Sequence, residues 1–508
     1  MSEKKSLGLR GCLAALLLAL ALCLNASCAY AGAAKHVILI IGDGMNLEHE
    51  VAGSRYLTGG DTSLSFHGLP YQTYASTWDV SAYNAFADNW DYRWKGAYDP
   101  NDFKPYVGYD PATGNSAPSP VQKTGETQDR YYLTNYLYGS KPAATDSASA
   151  ATALYTGIKT DDGNIAWKAG DPADGSLATI AELMKQQLGA SFGAVSTVEI
   201  THATPAVVYA HNVNRNNYSP DKNTGASSFT PTIAEQLTTC GIDVAVGAGH
   251  PSWAKGYFPQ SLIEVMKAKG TYVVVERVKG VDGNVSLAEA AGQAASGGKK
   301  LFGLYGGTGG DFENRVVSDT PGNPSIDRGS SENPTFAALV EAALTVLATN
   351  SKGFFLMAEQ GNLDWRNHAN DYMGMVGCVV DLHEGVAAAV AFVDKPGDDI
   401  TWDNTLLIVT SDHSNSYMRI KKPLGKGDLP PQKPVSTDNY GPVYDSGSYS
   451  GYVTYGTKEH TNELVTVYAR GAGVDLFKKY EGAWYPGTNI IDNTHIYKVM
   501  EEAAGVSR

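Results

Sequence analysis

Three apolar runs rich in β-branched or aromatic residues, Lys35–Ile41, Gly353–Ala358 and Thr405–Thr410, each lead directly into acidic sequence. The first runs into Gly42-Asp43-Gly44, the second into Glu359, and the third into Ser411-Asp412-His413. A strand that is apolar at every position is buried on both faces, as strands inside a parallel sheet are. Shorter strand candidates stand at Ser191–Ser196, Ile242–Val246, Tyr272–Glu276 and Leu301–Tyr305, with helical stretches between several of them. This alternation predicts an α/β chain, a three-layer α/β/α sandwich around a large, mostly parallel central sheet. Parallel strands bring their C-terminal ends to one edge. Asp43, Glu359, Asp412 and His413 are therefore expected to converge although they lie far apart in sequence.

A second feature is Thr145-Asp146-Ser147 at the head of an alanine-rich run that Thr156-Gly157 can end. Asp146 or Thr145 is a good N-cap type. Ser147 then sits in a first helical turn, where free N–H groups and the helix dipole favour an anion. An ordinary capped helix is the commoner meaning of such a triplet taken alone. Past Glu359, Asp364 and His368 stand one helical turn apart and can share a face. A carboxylate and an imidazole at that spacing suit zinc, and His460 can complete the set. Asp43, Asp412 and His413 can form another, with the Ser147 hydroxyl in an open position. Solvated helix charges are the usual explanation for an Asp/His pair by itself.

Further helices are expected over Leu177–Leu188, from Thr204-Pro205 toward Arg215, and over Phe336–Leu347. Valines from Val376 to Val393 mark one helix face on which His383 reads as a packed or exposed residue, not a ligand. Residues 424–455 read as loop. There is no internal repeat. Residues 71–140 are crowded with aromatics, Asp, Asn, Gly and Pro, and read as a long insertion packed by its own aromatics.

Lys4, Lys5 and Arg10, the apolar stretch Leu13–Leu24 and Ala29-Tyr30-Ala31 read as a signal peptide over residues 1–31. Asn25 disfavours lipoprotein processing before Cys28. No later stretch reads as a membrane span, so an exported protein without a stable membrane anchor is expected, periplasmic or extracellular. Removing the leader leaves Cys240 and Cys378. Two cysteines make no disulfide framework even in an oxidising compartment. The formal charge of −14 argues against nucleic acid as a partner. An anionic substrate would need a local cluster of cations to overcome that field.

Taken together the motifs resemble the alkaline phosphatase family, over nearly the whole chain beyond the leader and in family order. They are Ile41-Gly-Asp-Gly-Met45, Thr145-Asp-Ser-Ala148, Val195-Ser-Thr-Val-Glu199, Ala203-Thr-Pro205 with Arg215 beyond, Glu359 with Asp364 and His368, Thr410-Ser-Asp-His413 and Glu459-His-Thr461. The resemblance implies one catalytic domain over residues 32–508 that hydrolyses phosphate monoesters through a phosphoserine on Ser147. It implies a zinc held by Asp364, His368 and His460, and a second held by Asp43, Asp412, His413 and Ser147. A third metal, magnesium in most members, would be held by Asp43, Thr204 and Glu359. Arg215 would bind the phosphate oxygens, its planar fork matching two of them. The best-known bacterial form has Asp where His202 stands and Lys where Trp365 stands. Imidazole at 202 favours zinc or cobalt over magnesium in the third site. Trp365, directly after Asp364, is expected at the pocket mouth, touching substrate or packing there. The oligomer is left open, with a homodimer among the outcomes. The alternatives are a phosphodiesterase or another metal-dependent member of the wider superfamily, or an inactive exported protein that binds phosphate or metal.

Overall fold

The computed structural model describes residues 34–89, 98–100, 144–223, 229–313, 315–438 and 441–508. The leader and most of the aromatic insertion fall outside these residues. Ten strands form the central sheet: β1 His36–Gly42, β2 Tyr71–Ser76, β3 Ser191–Glu199, β4 Val244–Ala248, β5 Tyr272–Glu276, β6 Lys300–Leu304, β7 Phe354–Gln360, β8 Thr405–Thr410, β9 Val465–Gly471 and β10 Ile491–Asp492. Their order is β10-β2-β9-β8-β1-β7-β3-β4-β6-β5. Among the described residues only β9 runs against its neighbours in this sheet, and the other pairings within it are parallel. The expected α/β architecture is therefore the observed one.

The helices that matter for the site are α1 Leu47–Thr58, α2 Ser147–Thr156, α3 Phe336–Leu347, α4 Asn362–His368, α5 Tyr372–Val393 and α6 Asn493–Ala504. Successive residues of β1 point to opposite faces. Val37, Leu39 and Ile41 join one core with Ala148, Leu154 and Tyr155 of α2 and Ile496, Val499 and Met500 of α6. Ile38 and Ile40 join a second core with Leu339 and Val340 of α3 and Val376, Val379 and Leu382 of α5. Both faces are thus covered, which explains why β1 is apolar throughout. Each fully buried Val, Leu or Ile contributes about 1.5–3 kcal/mol of transfer free energy.

Several expectations are corrected. Tyr71–Ser76, placed in the insertion, is a strand of the central sheet between β9 and β10. The helix expected over Leu177–Leu188 starts later, because Thr179 and Glu182 form a capping box, and its last part, Met184–Leu188, widens into a π turn. The helix opened by Thr204-Pro205 stops at Ala206. There the chain turns so that Asn212 can exchange both backbone hydrogen bonds with Ile165, at 2.8 Å each. The 424–455 segment contains short strands, Ser436–Asp438 paired with Gly441–Val443 and Val453–Tyr455 paired with Met418–Ile420. Among the described residues one helix, α5, is long and apolar enough to cross a membrane by length and composition. It was not expected to qualify, and it is packed against α1, α3 and α4. His383 on α5 is packed, its Nδ1 accepting a hydrogen bond from Ser65 N at 2.7 Å. Cys240 and Cys378 are free thiols.

Candidate metal and phosphate site

Register brings the acidic strand ends together. Ile41 of β1 lies opposite Glu359 of β7 and Thr410 of β8, and Glu359 lies opposite Ser196 of β3. Asp43 and Asp412 follow directly, so the carboxylates share one edge. His413 Nε2 is 3.4 Å from Asp43 Oδ1 and 3.3 Å from Asp412 Oδ2, and 3.2 Å from Ser147 Oγ. Asp412 Oδ1 accepts from the Gly44 and His413 amides at 3.2 and 2.9 Å, which leaves Oδ2 toward the cluster. Gly44 has φ +68, and a Cβ on it would meet Asp364 Oδ1 at 2.8 Å. Glycine is required where the chain passes between Asp412 and Asp364.

The other cluster is Asp364, His368 and His460. His368 Nε2 lies 3.3 Å from Asp364 Oδ2 and 3.2 Å from His460 Nε2, and His460 Nε2 lies 3.4 Å from Asp364 Oδ1. Each imidazole turns its other nitrogen to a backbone carbonyl: His368 Nδ1 to Lys458 O, and His460 Nδ1 to Thr145 O at 2.7 Å. Those bonds keep a proton on Nδ1 and turn Nε2 inward, the orientation in which Nε2 would ligate a metal once it gave up its own proton. Asn415 Nδ2 donates to Asp364 Oδ1 at 2.6 Å. The rings of His413 and His460 stack 3.6 Å apart, so the two clusters are contiguous.

Burial dominates the electrostatics, and charge partners decide its sign. Asp43 is pushed well above the carboxylate range by burial, with Asp412, Asp364 and Glu359 adding repulsion. Burial also pushes Glu359 up, to about 7, against the hydrogen bond its carboxylate accepts from Ser196 Oγ and with Asp412 adding to the shift. At Asp364 burial acts in the same direction, but His368 and His460 outweigh it and hold the group well below the usual range.

Ser147 opens α2 behind the cap Asp146, whose carboxylate accepts from Ser149 N at 2.9 Å. The other oxygen of Asp146 receives Arg215 Nη1 at 2.7 Å. One side chain therefore caps the helix that opens at Ser147 and fixes the guanidinium beside it. Arg215 Nη2 lies 3.5 Å from His202 Nδ1, and the His202 ring meets Trp365 edge-on at 5.7 Å. The fold thus brings Asp43, Ser147, Arg215, Glu359, Asp364, His368, Asp412, His413 and His460 to this edge, with His202 and Trp365 at its rim. The roles of Asn415 and of Asp146 as the partner of Arg215 were not foreseen. Asn415 carries no spacing signal, whereas Asp146 had been singled out only as a cap.

The donor set fits metal ions. Asp43 Oδ1, Asp412 Oδ2, Glu359 Oε1 and Thr204 Oγ1 are buried without a hydrogen-bond partner among the described residues. Buried carboxylates left in that state are costly unless paired or bound to a cation. Two imidazoles with a carboxylate match zinc, and an all-oxygen group of Asp43, Glu359 and Thr204 matches a harder cation.

The sequence profile of alkaline phosphatases matches residues 112–438. The chain belongs to the alkaline phosphatase family. It is 32% identical over 314 residues to the alkaline phosphatase of Escherichia coli strain K12, spanning 57% of this chain and 62% of that one. Alkaline phosphatase H of Pseudomonas aeruginosa strain UCBPP-PA14 is 30% identical over 371 residues, spanning 68% of this chain and 72% of its own length. The alkaline phosphatase of the Antarctic bacterium TAB5 shares the fold with a TM-score of 0.55 at 20% identity, over 94% of this chain and 99% of that one. His202 and Trp365, where the best-known bacterial form has Asp and Lys, touch each other beside Arg215.

Proposed function

We propose that this protein hydrolyses phosphate monoesters, with Ser147 as nucleophile and a phosphoserine as intermediate. The observation that carries the reading is the placement of Ser147. Its Oγ stands at a helix N-terminus, against His413 and beside an arginine fixed by the helix's own cap. Two zinc ions, held by the two clusters, and a third cation at Asp43, Glu359 and Thr204 would supply Lewis-acid stabilisation and activate oxygen nucleophiles near neutral pH. With imidazole at 202, zinc or cobalt is an alternative to magnesium as that third cation. The rest is done by the chain. Arg215 pairs two phosphate oxygens through its fork, and Asp146 prevents the guanidinium from swinging away. The free N–H groups of the first turn of α2 and its dipole add further attraction for the phosphoryl group. These groups provide the local positive field that a chain of charge −14 otherwise lacks. Residues 1–31 would export the protein.

The test uses purified, metal-loaded enzyme with an aryl phosphate and a bis-aryl phosphate. The monoester should turn over much faster than the diester. Ser147→Ala should abolish the trapped phosphoserine and lower turnover by orders of magnitude. Wild-type turnover in Ser147→Ala would remove Ser147 as nucleophile, and a diester preference would move the enzyme to the phosphodiesterases.

A further inference from the structure

The rim of the site is lined with rings. His202 stacks on Tyr218, with centroids 5.9 Å apart and planes 10° apart, and meets Trp365 edge-on. Tyr218 meets Tyr257 at 5.0 Å and 63°. Lys222 Nζ stands 3.4 Å over the Tyr257 ring. The Tyr218 hydroxyl is tied to Asn216 Oδ1 at 3.0 Å. The series begins at Arg215, 3.5 Å from His202, and ends at half-buried Tyr257 and half-buried Trp365. Its members come from separate chain segments: the turn before Ala203, the short strand Asn217–Ser219, the loop at 257 and the helix α4. Sequence neighbourhood does not explain their meeting.

The direction of displacement says which part of a substrate meets this rim. In-line transfer puts the leaving oxygen opposite the nucleophile. Ser147 Oγ is against His413, in the buried cluster. The leaving group therefore lies toward Asp364, His368 and His460. That side opens outward: the side chain of His368 is 35% exposed, against 0% for His413. Trp365 follows Asp364 on α4, and its ring is held by the edge contact with His202. A ring fixed beside the exit is a stacking platform. Stacking of bases on aromatic side chains depends on a π-face rather than on a particular hydrogen-bond pattern.

We infer that the site prefers phosphate monoesters whose leaving group carries a planar aromatic ring, nucleoside monophosphates among them, and that Trp365 sets the preference. The inference rests on the monoesterase reading and names the substrate class within it. His202 is a positioning residue that holds the Trp365 ring.

Adenosine 5′-monophosphate and ribose 5-phosphate test it, because both lose phosphate from a 5′ primary hydroxyl and only one bears a base. The ratio of their kcat/KM values on metal-loaded enzyme should favour the nucleotide by about tenfold or more, as base stacking of ordinary strength gives. Trp365→Leu, which keeps apolar bulk, should bring the ratio close to one, and Trp365→Phe should retain most of it. A wild-type ratio near one overturns the inference and leaves the monoesterase reading standing. So does a ratio that survives in Trp365→Leu. Failure to hydrolyse either compound, or an aryl phosphate, overturns both.

Discussion

The two contiguous clusters solve opposite electrostatic problems. Asp364 lies between two imidazoles, and its negative charge is compensated within the cluster. Burial works against the charge on His368, but Asp364 outweighs it and raises the imidazole to about 9. Asp43 and Asp412 share one imidazole, and burial lowers His413 to about 4, so it stays neutral. The histidine-rich cluster can persist without metal through the Asp364–His368 ion pair. The acidic pocket cannot hold its full charge without a cation and takes up a proton instead. Adjacent sites built from similar residues thus differ in what they do when empty.

A matched pair of isosteric substitutions breaks or sharpens that contrast, and its effect should be the largest. Asp412→Asn keeps the oxygen that accepts from Gly44 and His413 but removes one of two repelling charges. Asp364→Asn removes the counter-charge of His368. Both variants should lose metal and turnover, by more than the roughly 10–100-fold typical of changes outside the ligand set. Their metal-free forms should shift in opposite directions: in chelator, Asp412→Asn should melt at or above wild type and Asp364→Asn clearly below it. Melting shifts of the same sign would mean that the clusters are electrostatically alike.

Much of this arrangement was legible in the sequence because burial on both faces leaves a continuous apolar run. Val37 to Ile41 and Leu406 to Val409 could only be interior strands, and the carboxylates after them had one edge to share. β2 and β9 were harder to see. Tyr71-Gln-Thr-Tyr-Ala-Ser76 alternates buried and exposed positions in its first half, and β9 is the one strand that runs against the sheet. Aromatic crowding masked the first. Local pattern also failed at Ala203–Ala206, where pairing of Asn212 with Ile165 overrides helix propensity and delivers Arg215 to Asp146. In the site, ligands were readable from residue type and spacing, but the groups that orient them were not. Asn415 reaches Asp364 from a short strand far away in sequence, and nothing local marks it.

Asn415 also offers a smaller test of the contrast. Its amide donates to an oxygen of the histidine-rich cluster and fixes the carboxylate that faces His460. Asn415→Ala should weaken one equivalent of bound metal by roughly 10–100-fold, the usual effect of losing an orienting partner. The equivalent held by Asp43, Asp412 and His413 should be retained. Competition with a chelator, read as metal released against chelator concentration, measures both. Equal weakening of the two equivalents would show that the stacked His413 and His460 rings couple the sites so tightly that they cannot be treated separately.

The smallest effect concerns Glu199, a buried carboxylate at the end of β3 that belongs to neither cluster. It is 0% exposed, and neither oxygen makes a hydrogen bond of ordinary geometry among the described residues. Gly310 packs against it so closely that no Cβ could fit there. Burial raises its pKa from 4.5 to about 8, and Asp311 adds to the rise, while Lys222, Tyr257 and its own backbone oppose it. Between about 4.5 and 8 the folded protein holds a proton that the unfolded chain has released. The unfolded state then binds fewer protons, so stability falls as pH rises through that window and levels off above it. Glu199→Gln removes this contribution. The difference in stability, variant minus wild type, should grow from pH 5 to pH 8 by an amount on the order of a few kcal/mol at most, then flatten. Denaturant midpoints of metal-loaded protein across that range read it directly. Any constant cost of burying the amide cancels, since only the slope is compared. Parallel curves would mean that Glu199 is charged at neutral pH despite its burial. The same physical cause is what places Asp43 above the carboxylate range, so that result would also remove the ground for calling the acidic pocket protonated when empty.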